Sequence, residues 1–204
     1  MNCNHGRRIG FLHSNFLERI PSDNVAAVVI LNYKPEGLKE FLKIGGLDGM
    51  ANSFLAEVGI TVDDFVAANG GDVMIAVTDF QLKPYSISLG DGMEPYTGTK
   101  PDMQVLFATS IGNKASFDKL MDLGKKFSEQ WRADTMVKYS LTDKLFAAGT
   151  SQESVDQFVK GGNKTHAFTS KLKDHPIGAY VDLQKFMRVA KSDAKDSSAV
   201  AALD

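Results

Sequence analysis

Cysteine and tryptophan are nearly absent from this chain of 204 residues, which contains one of each. The single cysteine, Cys3, excludes an internal disulfide and any zinc site built from several cysteines. Long hydrophobic runs are also missing, since none approaches the roughly 20 residues that a helix needs to cross a bilayer. The N-terminal segment carries Arg7 and Arg8 but scatters its apolar residues, so we predict no secretory signal within it.

The chain also lacks an excess of charge of either sign. Lys and Arg number 23 against 25 Asp and Glu, which gives a formal net charge of -2 and a pI near 6.1. Such a balance produces no field that would attract a polyanion, so we expect no nucleic acid as a partner. The densest basic cluster has no interleaved aromatic residues to stack on bases, which favours a solvated face; it consists of Lys160, Lys164, Lys171 and Lys173.

Recognisable catalytic and cofactor motifs are missing as well. The sequence contains neither G-x-S-x-G nor a glycine-rich phosphate-binding pattern. Its four histidines, His5, His13, His166 and His175, show no metal-ligand spacing and have no neighbouring cysteine pair. We therefore assign no catalytic residue, no cofactor and no metal site, and the sequence favours a non-enzymatic protein over an enzyme.

The residues that are present are typical of a globular protein with a substantial core. Hydrophobic residues make up 43% and charged residues 24% of the chain. Apolar residues that recur at spacings of three and four predict amphipathic helices. These sets are Leu38, Phe41 and Leu42; Met50, Phe54, Leu55 and Val58; Val62, Phe65 and Val66; Phe117, Leu120, Met121, Phe127 and Trp131; Val155, Phe158 and Val159; and Leu183, Phe186 and Ala190.

Strands are predicted where β-branched and aromatic residues cluster. The run from Val25 to Leu31 is apolar almost throughout, which predicts a central strand with both faces covered. The other predicted strands are Val73 to Thr78, Tyr85 to Leu89, Met103 to Thr109, Met136 to Leu141, Lys144 to Ala148 and Ile177 to Val181.

The order of these elements predicts an α+β fold with helices packed on a mixed, mainly antiparallel sheet. From Met103 onward the order is strand, helix, strand, strand, helix, strand, which is the ferredoxin-like or split βαβ arrangement. We predict one α+β domain over 21–190, with a duplication into halves 21–100 and 101–190 left open. Residues 1–20 are expected to be a non-core segment, and 191–204 a polar tail or the start of a truncated further region, as in a fragment.

Helix ends are also marked in the sequence. Thr61 with Asp64, and Thr150 with Glu153, are spaced as reciprocal N-terminal caps. Three glycine pairs follow amphipathic helices and are interpreted as helix stops rather than as a phosphate-binding loop; they are Gly45 and Gly46, Gly70 and Gly71, and Gly161 and Gly162.

The longest predicted loop runs from Gly90 to Pro101, "GDGMEPYTGTKP". Long loops carry function more often than core segments do. Tyr85, Asp91 and Tyr96, in and beside this loop, are the candidate ligand-binding residues, because aromatic faces and a carboxylate suit sugar stacking and hydrogen bonding. A loop that merely connects two strands is the alternative.

The segments "NGGDVMIAVTDF", "FATSIGNKASFDKLMDLG" and "IGAYVDLQKF", within Ile20 to Arg188, resemble domain of unknown function family 4836, which occurs in Bacteroidetes lipoproteins. The resemblance implies an exported, lipid-anchored protein of the cell envelope, located in the periplasm or at the outer-membrane surface. Membrane contact would then occur through a lipid anchor that this sequence does not contain. The family supplies no activity and no ligand that could be transferred to individual residues.

Our leading hypothesis is a non-enzymatic binding or scaffold module for a protein or a glycan. One alternative is an envelope hydrolase whose site forms only in the fold, with Asp63, Asp91, Asp102, His166 and His175 as the residues that could supply it. A second alternative is a structural subunit that pairs through an exposed sheet edge. The sequence leaves the ligand, the oligomeric state and the termini of the full-length protein open.

Overall fold

The computed structural model describes residues 16–90, 93–130, 137–173 and 175–193. In this part of the chain eight helices accompany six strands, so the predicted α+β class is confirmed. The helices are α1 (Phe16–Arg19), α2 (Gly37–Ile44), α3 (Asp48–Glu57), α4 (Val62–Ala68), α5 (Lys114–Gln130), α6 (Gln152–Lys160), α7 (Thr169–Leu172) and α8 (Leu183–Asp193). The strands are β1 (Val25–Asn32), β2 (Asn69–Ile87), β3 (Tyr96–Ile111), β4 (Lys138–Leu141), β5 (Leu145–Gly149) and β6 (Ile177–Val181).

The six strands form one sheet in the order β4-β5-β3-β2-β1-β6. Every pairing between neighbours is antiparallel, so the prediction of a mixed sheet is wrong for the described strands. The ferredoxin-like unit is not confirmed either. That unit would place β6 beside β3, whereas β2 occupies that position and β6 pairs with β1 at the far edge.

One face of the sheet is covered by helices and forms the main core. Alternate residues of the central strands point to this face, because successive side chains in a strand point in opposite directions. Phe158 of α6 is completely buried there, and its ring makes an edge contact with Phe16 at 5.5 Å between centroids. The strand residues of this core are Val28, Ile30, Met74, Ala76, Leu106, Ala108, Leu145 and Ala147, and Val155, Phe168 and Leu172 join them from the helical layer.

The opposite face, which we call the open face, is covered only in part by described residues. At the β3 and β5 side Phe117 of α5 packs with Ile111 and Phe146 in a second, smaller apolar cluster. On β1 and β2 the open-face residues Val29, Leu31 and Ile75 remain exposed. The prediction that the strand from Val25 is central with both faces covered is wrong, since β1 lies next to the edge strand β6 and its open-face residues are exposed.

The end of the N-terminal segment belongs to the core. Phe16, Leu17 and Ile20 are buried against the helical layer, which corrects the expectation that 1–20 is a non-core segment for the part from residue 16 onward. Residues 1–15 lie outside the described part of the chain, as do residues 194–204 of the predicted tail. Residues 191–193 continue α8.

The predicted caps and glycine stops are confirmed only in part. Thr61 and Asp64 form the reciprocal capping box at the start of α4. At the start of α6, however, the capping side chain is that of Ser151, and Thr150 instead bonds the backbone N–H of Val105 on β3. Thr150 had been predicted because it stands three residues before Glu153, but the chain is still extended at Ser151 and the helix begins one residue later.

The glycine pair Gly70 and Gly71 lies inside β2 rather than at a helix stop, since α4 ends at Ala68. A Cβ atom at Gly70 would lie 2.5 Å from the hydroxyl oxygen of Ser110. At Gly71 a Cβ atom would overlap the carbonyl oxygen of Tyr33, and its φ of 95° is one that glycine adopts without strain. These glycines therefore permit a close approach of three backbone segments.

Candidate functional site

The candidate site lies on a two-stranded extension of β2 and β3, which we call the arm and define as residues 81–87 and 96–102. Within the body of the sheet, β2 also pairs with β1 as far as Thr78, and β3 pairs with β5 from Leu106 onward. Beyond these points the two strands pair only with each other, through seven successive pairs from Gln81↔Asp102 to Ile87↔Tyr96. At about 3.4 Å per residue the arm is about 20 Å long.

The arm replaces half of the predicted loop from Gly90 to Pro101. Tyr96 to Pro101 belong to β3, and the two predicted strands Val73 to Thr78 and Tyr85 to Leu89 are parts of one long β2. The strand continues across an irregularity in its pairing with β3, which includes Asp79. Among the described residues other than glycine, Asp79 alone has a positive φ, 56°. Asp79 is held there because its carboxylate accepts a hydrogen bond from Ser22 and its N–H donates to the Asn24 carbonyl.

One face of the arm carries a graded series of side chains. Residues directly opposite each other on paired strands share a face, so the register fixes this series. Lys83 lies opposite Lys100, Tyr85 opposite Gly98, and Ile87 opposite Tyr96. The face therefore changes from cationic near the body of the sheet to aromatic and aliphatic at the tip.

The structure brings the two tyrosine candidates together. The rings of Tyr85 and Tyr96 lie 6.2 Å apart between centroids, at an interplanar angle of 57°. The ring of Tyr85 covers Gly98, where a Cβ atom would lie 3.1 Å from the ring, so Tyr85 is half-buried while Tyr96 is 57% exposed. The third candidate, Asp91, lies outside the described residues.

The base of the arm is held by an ion pair. Asp102 accepts from Lys83 at 2.7 Å and from the side-chain amide of Gln81 at 2.9 Å. These hydrogen bonds, that from Lys83 first, lower the pKa of Asp102 below its usual value. Asp102 is therefore an anion that stabilises the arm through these two hydrogen bonds. It does not readily take up a proton near neutral pH.

The tip of the arm adds residues that sequence reasoning missed. Ile87, Leu89 and Met93 are exposed together with Tyr96. Met93 lies in the predicted loop from Gly90, and Leu89 ends the strand predicted just before that loop. A signal was present, because apolar residues in or beside a glycine-rich loop have no core to join. We call Ile87, Leu89, Met93 and Tyr96 the apolar tip.

The residues considered for a hydrolase site lie on separate elements and bind different partners. Asp63, on α4, pairs with Lys39 at 2.6 Å, and Asp102 with Lys83 on the arm. His166 precedes α7 and His175 precedes β6. No group of three or more metal-ligating side chains occurs among the described residues.

His166 packs against the edge of the core. Its ring stacks on Phe168 at 5.1 Å between centroids, and Phe168 stacks in turn on Tyr180 at 4.3 Å. Its Nε2 atom is buried without a hydrogen-bond partner among the described residues. Burial, only partly offset by Asp23, lowers the pKa of His166 below 6.5. We interpret this position as structural, because the imidazole stacks on Phe168, which belongs to the core.

Two lysines of the predicted basic cluster pair with different acidic residues. Lys164 pairs with Asp23 at 3.0 Å and Lys173 with Glu18 at 3.5 Å. Both contacts join the segment around α7 to the beginning of the described chain.

Comparison with protein-family models, with curated proteins and with solved structures returned no match to this chain. Among the helices of the described residues, none combines the length and the apolar character needed to cross a membrane.

Proposed function

We propose that the chain is a non-enzymatic binding module of a cell-envelope lipoprotein and that the arm carries its binding site. The observation that carries this proposal is the exposed apolar tip on an arm that no other described strand flanks. The location in the envelope rests on the resemblance of "NGGDVMIAVTDF" and "IGAYVDLQKF" to the lipoprotein family.

The chemistry of the tip favours a protein groove over a glycan as the ligand. Three of its four side chains are aliphatic or thioether groups, which gain free energy when an apolar groove removes them from water. Aromatic and methionine side chains are enriched at protein interfaces. Tyr85 and Tyr96 meet at 57°, so they form no flat platform for a sugar ring.

The cationic base of the arm gives the contact an orientation. Lys100 lies opposite Lys83 on the same face as Tyr85 and Tyr96, four pairs along the ladder from the Ile87↔Tyr96 pair at the tip. An acidic rim around the partner's groove would lie within reach of Lys100 once the tip is inserted. Such rim charges mainly set the association rate and its dependence on salt.

Site-specific photocrosslinking tests the proposal. A photoreactive phenylalanine analogue is placed at Tyr96, and in a matched control at Tyr139, a tyrosine of β4 with a similar exposed fraction, 50% against 57%. We expect position 96 to yield an adduct with one defined envelope protein, which Ile87→Ser abolishes, and position 139 to yield none. Equal adducts from both positions would contradict the proposal.

A glycan-binding assay on the same variants tests the other ligand class. Retention on immobilised envelope polysaccharide that is lost in Tyr96→Ala but kept in Tyr139→Ala would replace the protein groove with a glycan as the ligand. Hydrolysis of ester or glycoside test substrates that is lost in Asp63→Asn or Asp102→Asn would instead support the hydrolase alternative.

A further inference from the structure

The outer edge of β6 carries unused backbone hydrogen-bonding groups. Asn32 donates to the Pro176 carbonyl at 2.7 Å and Asp182 donates to the Ala26 carbonyl at 2.8 Å, so the even-numbered residues of β6 point their backbone groups towards β1. The N–H and C=O groups of alternate residues in an antiparallel strand point to opposite sides. Ile177, Ala179 and Val181 therefore direct theirs away from the sheet.

No described residue bonds to these outward groups. The usual protections of an edge strand are a charged side chain, a proline, a bulge or a covering element. Between Ile177 and Val181 the strand has no charge and no proline, and its pairing with β1 is regular. Ile177 is 68% and Val181 49% exposed, so the described residues leave the side chains of this edge largely uncovered.

The apolar side chains of this edge continue onto the open face. Ile177, Ala179 and Val181 lie opposite Leu31, Val29 and Ala27, so these residues share one face of the sheet. Val29 and Leu31 are exposed there, as is Ile75 on the next strand. A strand added to β6 would extend both the backbone ladder and this apolar surface.

The opposite edge of the sheet is less suited to the same use. β4 is four residues long, begins with Lys138 and contacts α6 on the covered side. A lysine on an edge strand opposes the addition of a further strand.

We propose that β6 pairs antiparallel with β6 of a second copy of this chain about a two-fold axis through Ala179. In this register Ala179 faces its own counterpart and Ile177 faces Val181 of the other copy, so every outward group meets an outward group. All five residues of β6 are uncharged, hence no like charges oppose each other across the new ladder. Pairing of two identical edges produces a closed dimer. Pairing of β6 with β4 would leave a free edge on each end of the assembly, so copies could be added without limit to form a filament.

Charge substitution at the axis tests the pairing. Ala179→Lys or Ala179→Glu places two like charges opposite each other, so each variant alone should lose association by about tenfold or more in sedimentation equilibrium. An equimolar mixture of the two variants should regain it. Val137→Lys, at the β4 side of the sheet, is the control and should sediment as the parent does.

Disulfide trapping tests the register without charge. In a Cys3→Ser background, Ala179→Cys places two thiols across the axis at a Cα separation of about 5.5 Å, within the range that a disulfide spans. With oxidised glutathione, Ala179→Cys should form covalent dimers at least about tenfold faster than Ile177→Cys, whose counterpart is displaced by four residues in the ladder.

Three outcomes overturn the proposal. They are a parent protein that remains monomeric at every concentration measured, a mixture of the two charge variants that associates no better than either alone, and equal trapping rates for the two cysteine variants. Thermal unfolding of each variant confirms that it is folded before it is compared.

Discussion

Neighbouring residues of the same strand have opposite environments on the two faces of this sheet. On β2, Met74 is fully buried beneath the helical layer, whereas the next residue, Ile75, is 46% exposed on the open face. Both are apolar, so composition alone does not decide which face is covered. The difference is that α1, α6 and α7 pack on one face, while α5 reaches only the β3 and β5 side of the other.

The largest contrast is expected between two phenylalanines. Phe158→Ala removes a fully buried ring from the core and should lower the free energy of unfolding by about 3–5 kcal/mol. Phe54→Ala, on α3, removes a ring that is 66% exposed and should change it by less than about 0.5 kcal/mol. Urea unfolding of both variants provides the measurement, and equal losses would mean that α3 is covered in solution.

A sharper comparison uses the adjacent pair on β2. Met74→Ala should lower the free energy of unfolding by about 2–5 kcal/mol, because it leaves a cavity in the core. Ile75→Ala should lower the free energy of unfolding of a monomer by less than about 1 kcal/mol, since the side chain already contacts water. If the loss at Ile75 increases with protein concentration, the open face is buried by association.

Backbone geometry at the start of β2 gives an intermediate effect. Gly71→Ala should lower the free energy of unfolding by about 1–3 kcal/mol or more. The new Cβ atom would overlap the Tyr33 carbonyl oxygen, and the positive φ is strained for alanine. Gly37→Ala is the control, since a Cβ atom at that position meets no atom within 4 Å. Thermal unfolding that shows the two variants equally stable would contradict the close approach at Gly71.

The smallest effect is the change in stability with pH that arises from His166. Partial burial of its ring lowers the pKa of His166 from 6.5, against the opposing effect of Asp23, so the unfolded chain binds more protons than the folded one. The stability that the neutral ring provides is intact above pH 6.5 and is lost as pH falls from 6.5 to the lower folded pKa. Unfolding midpoints at about pH 7.5 and about pH 5.5 should differ less in His166→Gln than in the parent.

Local patterns in the sequence predicted most of the individual elements. The strand from Ile177 to Val181 agrees with the structure, and the strand from Val25 to Leu31 differs by one residue, because runs of β-branched residues are strong signals. The capping box at Thr61 was also predictable from spacing. These features depend on residues that are close in the sequence.

Features that depend on distant residues were not predictable in the same way. Asp79 sustains β2 across an irregularity because Ser22 and Asn24 hold it, and these residues lie more than fifty positions earlier. Glycine is typical of turns, so the sequence predicts a loop at Gly98, yet Gly98 lies in a strand and is covered by the Tyr85 ring. The candidate tyrosines were identified from sequence, but their contact across the arm follows from a register that sequence does not specify.

The position of β6 beside β1 has a consequence for how the chain folds during synthesis. The first strand of the sheet pairs with the last, and the two are separated by well over a hundred residues. At typical rates of translation, about 10 to 30 s pass between the emergence of β1 from the ribosome and that of its partner. During that interval the edge of β1 that β6 will cover is unprotected, so we expect it to be exposed to pairing with other chains until β6 has been synthesised.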